Sequence, residues 1–290
     1  MAAALPIWKN VLLSAYYYGT LPLRLRMHGR VARQGIAPIM ILFYHRVGEH
    51  TPNAWTISYR QFARQIRWLE ERFELISLPE AQQRMRAGAN HQMAVSVTFD
   101  DGYADNCHQA LPLLIGKRIP VTYLVATDHV LRRTPFPHDV AAGRPLPPNT
   151  IDDLRRLAAA GVEIGCHSRT HQDLGAISDR TRLVEEVVVA REELQQALGH
   201  PVRYFSFPYG QPRNLNAAVF SLAEQAGYHG VCSAFGGYNF PRGDAFHLRR
   251  VHADPQFTRF RNWLTLDPRK LSDEGKPGHG YRCWGGGTNA

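Results

Sequence analysis

Cysteine is scarce in this chain of 290 residues and follows no pairing pattern. The four cysteines are widely spaced: Cys107, Cys166, Cys232 and Cys283. Scarcity and spacing exclude a disulfide framework, and the lack of a C-x-x-C pair excludes a zinc knuckle, so we expect free thiols in a reducing compartment. Because neighbours on a strand point to opposite faces, we predict that Cys166, beside His167, is a core residue.

The sequence also lacks an apolar run of the roughly 20 residues that a membrane-spanning helix needs. The longest candidate, residues 11–23, is shorter and contains Ser14, Gly19 and Pro22. The basic residues that follow it are Arg24, Arg26, Arg30 and Arg33. A cleavable export signal has the reverse order, so we expect a cytoplasmic protein. We expect residues 1–37 to form a helical segment that either packs on the main domain or lies peripherally on an anionic membrane surface at the inner face.

Acidic residues are in the minority. The chain has 34 Lys and Arg against 25 Asp and Glu, which gives a formal net charge of +9 with neutral histidine. This surplus favours anionic partners such as phosphorylated sugars or an acidic membrane surface, although a plain basic surface has the same signature. No short basic run is interleaved with aromatic residues, so we expect no nucleic-acid partner. A hydrophobic content of 44% is typical of a folded globular protein.

Apolar runs of strand length alternate with amphipathic helical patterns. The runs are residues 39–44, 75–77, 94–99, 121–125, 162–165, 204–207 and 230–233. Continuous hydrophobicity is expected for strands covered on both faces, and the alternation predicts βαβ units with a parallel sheet. We predict one barrel-like α/β domain of about seven strands, with an open doubly wound sheet as the alternative. In both folds, functional residues collect at the carboxyl ends of the strands.

Local signals mark several helix starts and two irregular regions. Ser58 and Thr150 have the pattern of helix N-caps, and Ser178 is a candidate cap for a long helix. Residues 132–149 contain five prolines and predict a long loop near the active face. Residues 271–290 are rich in glycine and polar residues and predict a flexible tail.

Two polar motifs follow predicted strands and carry most of the chemical signal. Asp100 and Asp101 end the third predicted strand, and His167 and His171 follow the fifth. Two imidazoles and one carboxylate can hold a divalent metal with a position left for water, while the other carboxylate moves protons. A cation bound by one carboxylate also relieves the repulsion between the two. The i, i+4 spacing places both histidines on one face if their segment forms a helical turn.

Five segments resemble the polysaccharide deacetylase family (carbohydrate esterase family 4). They are F-Y-H-R-V at 43–47, W-T-I-S at 55–58, T-F-D-D-G at 98–102, H-S-x-x-H at 167–171 and F-x-F-P-Y-G at 205–210. The resemblance implies an α/β fold, a distorted (β/α) barrel with its active face at the strand carboxyl ends, and we place this catalytic domain at residues 38–270. It also implies a divalent metal, most commonly zinc, and a carbohydrate substrate.

The resemblance assigns the acidic residues and histidines of the two motifs. Asp100 resembles the family's catalytic base. Asp101, His167 and His171 resemble its three metal ligands.

Three further residues receive expected roles. Tyr209 resembles a tyrosine whose backbone N–H binds the oxyanion. His252 lies in a loosely matched late motif that brings the general acid. His45 competes for that role, since it also leaves a strand at the active rim where substrate would bind.

The chain departs from the family pattern in two places. Many members carry an arginine two residues before the proline of the third motif, where it contacts the base, and this chain has Ser206 there. Arg203 is nearby in sequence, but nothing in the sequence shows that it substitutes. The Trp-containing fourth motif has no clear counterpart, so the sequence does not define the acetyl pocket.

The resemblance therefore implies a metal-dependent hydrolase that removes an acetyl group from an N-acetylated sugar and yields acetate and a free amine. The sugar would belong to a poly- or oligosaccharide or to a glycan precursor. Two alternatives stay open at this stage. The same centre could hydrolyse an O-acetyl ester or another amide, or the protein could bind glycan without turnover.

Overall fold

The computed structural model describes residues 6–267, which form a barrel of parallel strands surrounded by helices. The strands are β1 (Ile39–Tyr44), β2 (Arg46–Val47), β3 (Thr56–Ile57), β4 (Glu74–Leu75), β5 (Ala94–Phe99), β6 (Val121–Val125), β7 (Glu163–Cys166), β8 (Tyr204–Ser206), β9 (Gly230–Ser233) and β10 (His247–His252). The helices are α1 (Ile7–Arg33), α2 (Tyr59–Glu70), α3 (Leu78–Ala87), α4 (Ala110–Gly116), α5 (Thr127–Arg132), α6 (Pro137–Ala141), α7 (Ile151–Ala159), α8 (Arg180–Val184), α9 (Ala190–Leu198), α10 (Ala217–Gln225) and α11 (Phe257–Leu264). The expected tail at residues 271–290 lies outside the described residues.

Seven strands close the barrel. Their order is β1-β10-β9-β8-β7-β6-β5, and β5 pairs with β1 to complete the ring. Every one of these pairs is parallel. The short β4 pairs only with the start of β5, outside the ring, and β2 and β3 form a separate two-stranded ribbon. The distorted (β/α) barrel is therefore confirmed, and the open sheet is wrong.

The seventh barrel strand is β10, not the predicted run at residues 75–77. Its sequence, H-L-R-R-V-H, is not an apolar run, because one of its inward positions is the buried Arg250. β10 pairs with β1 from Ile41↔Arg250 to Phe43↔His252 and so closes the ring. A search for hydrophobic runs therefore does not detect this strand, because Arg250 places a charged side chain inside the barrel.

Alternation along the strands separates an inner cluster from an outer core. In β1, Ile39 and Ile41 belong to the inner cluster, whereas Met40 and Leu42 join the core beneath the helices. The inner cluster also contains Ala94, Leu124, Tyr204, Cys232 and Leu248, with residues of α3. The same inward register continues to the carboxyl ends of the strands, where polar residues replace the apolar ones.

Most local signals agree with the structure. Ser58 and Thr150 both form capping boxes at the starts of α2 and α7. The long helix begins after Asp179 rather than Ser178, since the Asp179 side chain accepts the capping hydrogen bond. It contains a π-helical turn, Glu185–Val189, between α8 and α9. The predicted loop at residues 132–149 includes the short helix α6.

Candidate metal centre

The two aspartates reach the same end of the barrel by different means. Asp100 keeps the inward register of β5, and its backbone N–H donates to the Tyr44 carbonyl at 2.8 Å. Asp101 has a φ of 72°, which turns it away from the alternation of a regular strand. Gly102 follows with a φ of 95°, and a Cβ there would lie 3.1 Å from the Val125 Cβ. Both carboxylates are buried, with 2% and 3% of each residue exposed.

The histidine motif forms an irregular loop, so the helical turn that would place both histidines on one face at i, i+4 spacing is not formed. Ser168 and His171 have φ values of 60° and 58°, so the backbone is left-handed at both positions. The His171 backbone N–H donates to the Ser168 hydroxyl at 3.0 Å and stabilises the loop. His167 Nδ1 lies 2.9 Å from the Ser206 carbonyl oxygen, which leaves its Nε2 as the atom available to a metal.

The three expected ligands come together. Asp101 Oδ1 lies 3.5 Å from His167 Nε2 and 3.2 Å from His171 Nε2. One ligand atom of each residue lies within 4.8 Å of the other two. Ligand atoms placed tetrahedrally at zinc distances are about 3.3 Å apart, so the spacing fits a small divalent cation. Asp101 Oδ1 is also a buried oxygen without a hydrogen-bond donor among the described residues, as expected of a metal ligand.

A buried glutamate accepts hydrogen bonds from the loop that joins the two histidines. Glu186 lies in the π-helical turn and is 4% exposed. Its Oε2 accepts the backbone N–H groups of Arg169 and Thr170 at 3.0 and 2.9 Å, and Oε1 accepts the Thr170 hydroxyl. These three hydrogen bonds fix the segment that joins the two histidines. Short π-helical turns are common at functional sites, and this one directs the Glu186 carboxylate toward the loop that carries His167 and His171.

Arg250 neutralises the second carboxylate. Its two terminal nitrogens each lie 2.7 Å from a different oxygen of Asp100, in a bidentate ion pair that is almost fully buried. The guanidinium also donates to the Ser206 hydroxyl at 2.6 Å and to the Thr98 hydroxyl at 3.0 Å. Arg203 does not substitute for the missing family arginine, because it pairs with Glu163 at the opposite end of the barrel.

The charges of the site keep both carboxylates ionised. Burial raises the pKa of Asp100, but the charge of Arg250, with His167 next, outweighs burial and holds the pKa below its usual value. The pKa of Asp101 is also held below its usual value, because His45, His171 and His167 together outweigh its burial. Burial lowers the pKa of His167 to about 4, so this imidazole is neutral at pH 7, the state that binds metals.

An open cleft of about 940 Å³ leads to these groups. His45 and Trp55 pack with their rings tilted on one side, with ring centroids 4.7 Å apart, and His252 packs 6.2 Å from each of them. Tyr209 lies on the other side, 5.4 Å from the His171 ring, on a backbone with a φ of 61°. The cleft is the size of a site for a small ligand or for a few sugar units.

Both candidate proton donors are neutral near pH 7. Burial lowers the pKa of His45 from its usual value, and burial lowers the pKa of His252 to about 4, with His45 and Arg259 lowering it further. Either imidazole would therefore have to take up a proton before it could act as a general acid.

The chain matches one family model, described as polysaccharide deacetylase, over residues 87–231, which is half of its length. The chain belongs to the polysaccharide deacetylase family. The matched segment includes Asp100, Asp101, His167, His171 and Tyr209.

Curated and solved relatives agree with this deacetylase assignment. YxkH of Bacillus subtilis (strain 168), named as a candidate polysaccharide deacetylase, is 22% identical over 222 residues, which are 76% of this chain and 72% of YxkH. The structure of IcaB from Ammonifex degensii aligns with a TM-score of 0.65 at 24% identity, over 79% of this chain and 98% of IcaB. A de-N-acetylase from Aggregatibacter actinomycetemcomitans aligns with a TM-score of 0.65 at 21% identity, over 78% of this chain and all of that chain. At these identities, the structural similarities establish the fold.

All seven residues predicted for the deacetylase site line the one cleft. They are His45, Asp100, Asp101, His167, His171, Tyr209 and His252. Sequence reasoning missed Arg250 and Glu186, and it gave Trp55 no role in the cleft. Arg250 lies two residues before His252 in the late motif, L-R-R-V-H at residues 248–252, for which the resemblance assigned a role only to the histidine.

We predict that Glu186→Gln weakens metal binding without unfolding the deacetylase. The amide keeps the shape but replaces one acceptor oxygen by a donor that faces two backbone N–H groups. Loss of such an outer hydrogen-bond partner costs about 10- to 100-fold in metal affinity. Competition with a chromogenic chelator measures the change. Glu185→Gln, at the exposed neighbouring position, is the matched control, and equal affinities of the two variants would contradict the role of Glu186.

Proposed function

We propose that this protein is a metal-dependent deacetylase that hydrolyses the N-acetyl group of an amino sugar in a poly- or oligosaccharide or a glycan precursor. The observation that carries the proposal is the juxtaposition of an Asp-His-His cluster with a separate, arginine-paired carboxylate in one cleft. The fold neighbour from Aggregatibacter actinomycetemcomitans is a de-N-acetylase, which supports an N-acetyl group as substrate.

Asp101, His167 and His171 would hold the cation, and their donor set fits zinc. A divalent cation in such a site polarises a carbonyl and makes a water more acidic. Asp100 stays outside the ligand set and ionised, so it would accept the proton of the attacking water. Arg250 fixes the orientation of that carboxylate through two hydrogen bonds.

The other walls of the cleft provide the remaining groups. The backbone N–H of Tyr209 would donate to the oxyanion of the tetrahedral intermediate. His252 would protonate the leaving amine, with His45 as the competing donor. Trp55 forms an apolar surface beside both histidines and would form one wall of the acetyl pocket.

We expect the purified protein to release acetate from N-acetylated oligosaccharides, to lose this activity with a chelator, and to regain it with zinc.

His167→Ala should remove most bound metal, whereas Asp100→Asn should keep metal and lose turnover by about 10²–10⁴-fold, the usual contribution of a general base. Acetate assays and metal analysis measure both effects. A fully active Asp100→Asn variant would refute the base assignment. Release of acetate from acetylated xylan alone would assign an O-acetyl ester instead.

Loss of the Arg250 charge should change the pH dependence of deacetylation. Because Arg250 lowers the pKa of Asp100, Arg250→Gln should raise that pKa and move the acidic limb of the kcat/KM profile to higher pH. The base acts in its ionised form, so activity falls first on the acidic side. Arg250→Lys keeps the charge and should shift the limb less. Identical acidic limbs for wild type and Arg250→Gln would show that this ion pair does not tune the base.

The general acid can be identified with two substrates. His252→Ala should reduce hydrolysis of an N-acetyl sugar by about 10²–10⁴-fold but leave hydrolysis of 4-nitrophenyl acetate nearly unchanged, because nitrophenolate leaves without a proton. His45→Ala is the matched comparison. If His45→Ala alone shows this difference between the two substrates, His45 is the donor and the assignment of His252 is wrong.

A further inference from the structure

Helix α1 is fixed to the barrel through one of its faces. Tyr17 and Arg24 are buried there, and Arg24 donates to the Asn262 side chain at 3.0 Å and to the Thr265 hydroxyl at 3.2 Å. The guanidinium of Arg261 lies 4.7 Å from the centroid of the Tyr17 ring. These contacts join α1 to α11 and its carboxyl end, so the orientation of the opposite face is set.

That opposite face is apolar. Of the twelve large hydrophobic residues that are exposed in the described part of the chain, seven belong to α1. They are Ile7, Trp8, Val11, Leu12, Tyr18, Leu23 and Leu25. At 3.6 residues per turn they occupy a sector of about 160° on the helix. A surface helix normally carries polar residues in this sector, and an exposed apolar stripe of this kind marks a contact surface.

The charged side chains of α1 are all basic. The sequence contains no Asp or Glu before Glu49, while α1 carries one lysine and four arginines. Arg26, Arg30 and Arg33 are exposed on its last two turns. A second copy of this chain would bring the same positive charges against each other, so self-association is disfavoured. Anionic lipid headgroups complement the arginines, and the acyl boundary below them accepts the apolar side chains.

We infer that the outward face of α1, formed by the seven exposed hydrophobic residues and the three exposed arginines, binds the surface of an anionic lipid bilayer. Among residues 6–267 no helix is long and apolar enough to span a membrane, so α1 would lie in the plane of the interface. Trp8 and Tyr18 suit this depth, because amphipathic aromatic rings concentrate at the headgroup level.

The position of α1 relates this surface to the cleft. Gln256, four residues after His252, hydrogen-bonds to Asn10 near the start of α1. The other end of the helix leads into β1 at the amino end of the barrel. The apolar part of α1 therefore begins at the end of the barrel that holds the cleft, and binding through it would hold the cleft close to the lipid surface.

Flotation of the full chain with lipid vesicles tests the inference. We expect binding to phosphatidylcholine vesicles that contain about one-third phosphatidylglycerol to exceed binding to pure phosphatidylcholine by at least about tenfold. Trp8→Glu/Leu12→Glu and Arg26→Glu/Arg33→Glu should each lower the partition coefficient by about tenfold or more.

Two control variants show whether any loss of surface charge or of exposed apolar area lowers vesicle binding, or only a change on this face of α1. Arg60→Glu/Arg67→Glu reverses two exposed arginines with the same spacing on α2, and Val140→Glu changes an exposed apolar residue outside α1. Both controls should bind vesicles like the wild type. Circular dichroism on every variant shows that each one is folded.

Three results would overturn the inference. The first is equal binding of the wild type to neutral and anionic vesicles. The second is unchanged binding after reversal of Arg26 and Arg33. The third is a dimer in light scattering that Trp8→Glu/Leu12→Glu dissociates while the wild type ignores vesicles, because this result assigns the face to a second copy of the chain. None of these outcomes depends on deacetylase activity.

Discussion

Two adjacent carboxylates buried at one end of a barrel are the constraint around which this site is built. Burial disfavours each charge, and the two charges repel each other. The structure stabilises the two charges in different ways. Asp100 receives a bidentate arginine, while Asp101 faces two imidazoles that leave room for a cation. This arrangement favours the proposed division of roles, since Arg250 neutralises Asp100 while Asp101 keeps a buried oxygen that could bind a cation.

Strained backbone delivers the ligands. Four of the nine non-glycine residues with positive φ in the described chain belong to the site: Asp101, Ser168, His171 and Tyr209. Such conformations cost on the order of 1–3 kcal/mol each and persist only where surrounding packing enforces them. Here the parallel strands and the hydrogen bonds of Glu186 supply that enforcement. The loops carry the chemistry, but the barrel determines where each loop begins.

The last barrel strand connects two parts of the molecule with different requirements. β10 places Arg250 inside the barrel and His252 at the cleft, and the chain then continues into α11, which holds α1. Inside the barrel, the buried charge of Arg250 must be balanced by an acidic side chain. On the outside, α1 exposes apolar side chains together with positively charged ones. Because a connection of only four residues, 253–256, joins β10 to α11, the fold relates the position of the cleft to that of the outward face of α1.

The sequence alone determined the strands that are hydrophobic throughout, two capping boxes and the motifs that identify the family, because these signals depend on residues close together in the chain. Those motifs also pointed to all seven predicted residues of the cleft. Tertiary structure decided that β10 closes the ring, that the histidine motif forms an irregular loop rather than a helical turn, and that Arg250 supplies the charge absent at Ser206. Arg250 and Asp100 are 150 residues apart, and only closure of the barrel brings a cation from the last strand to a carboxylate on β5.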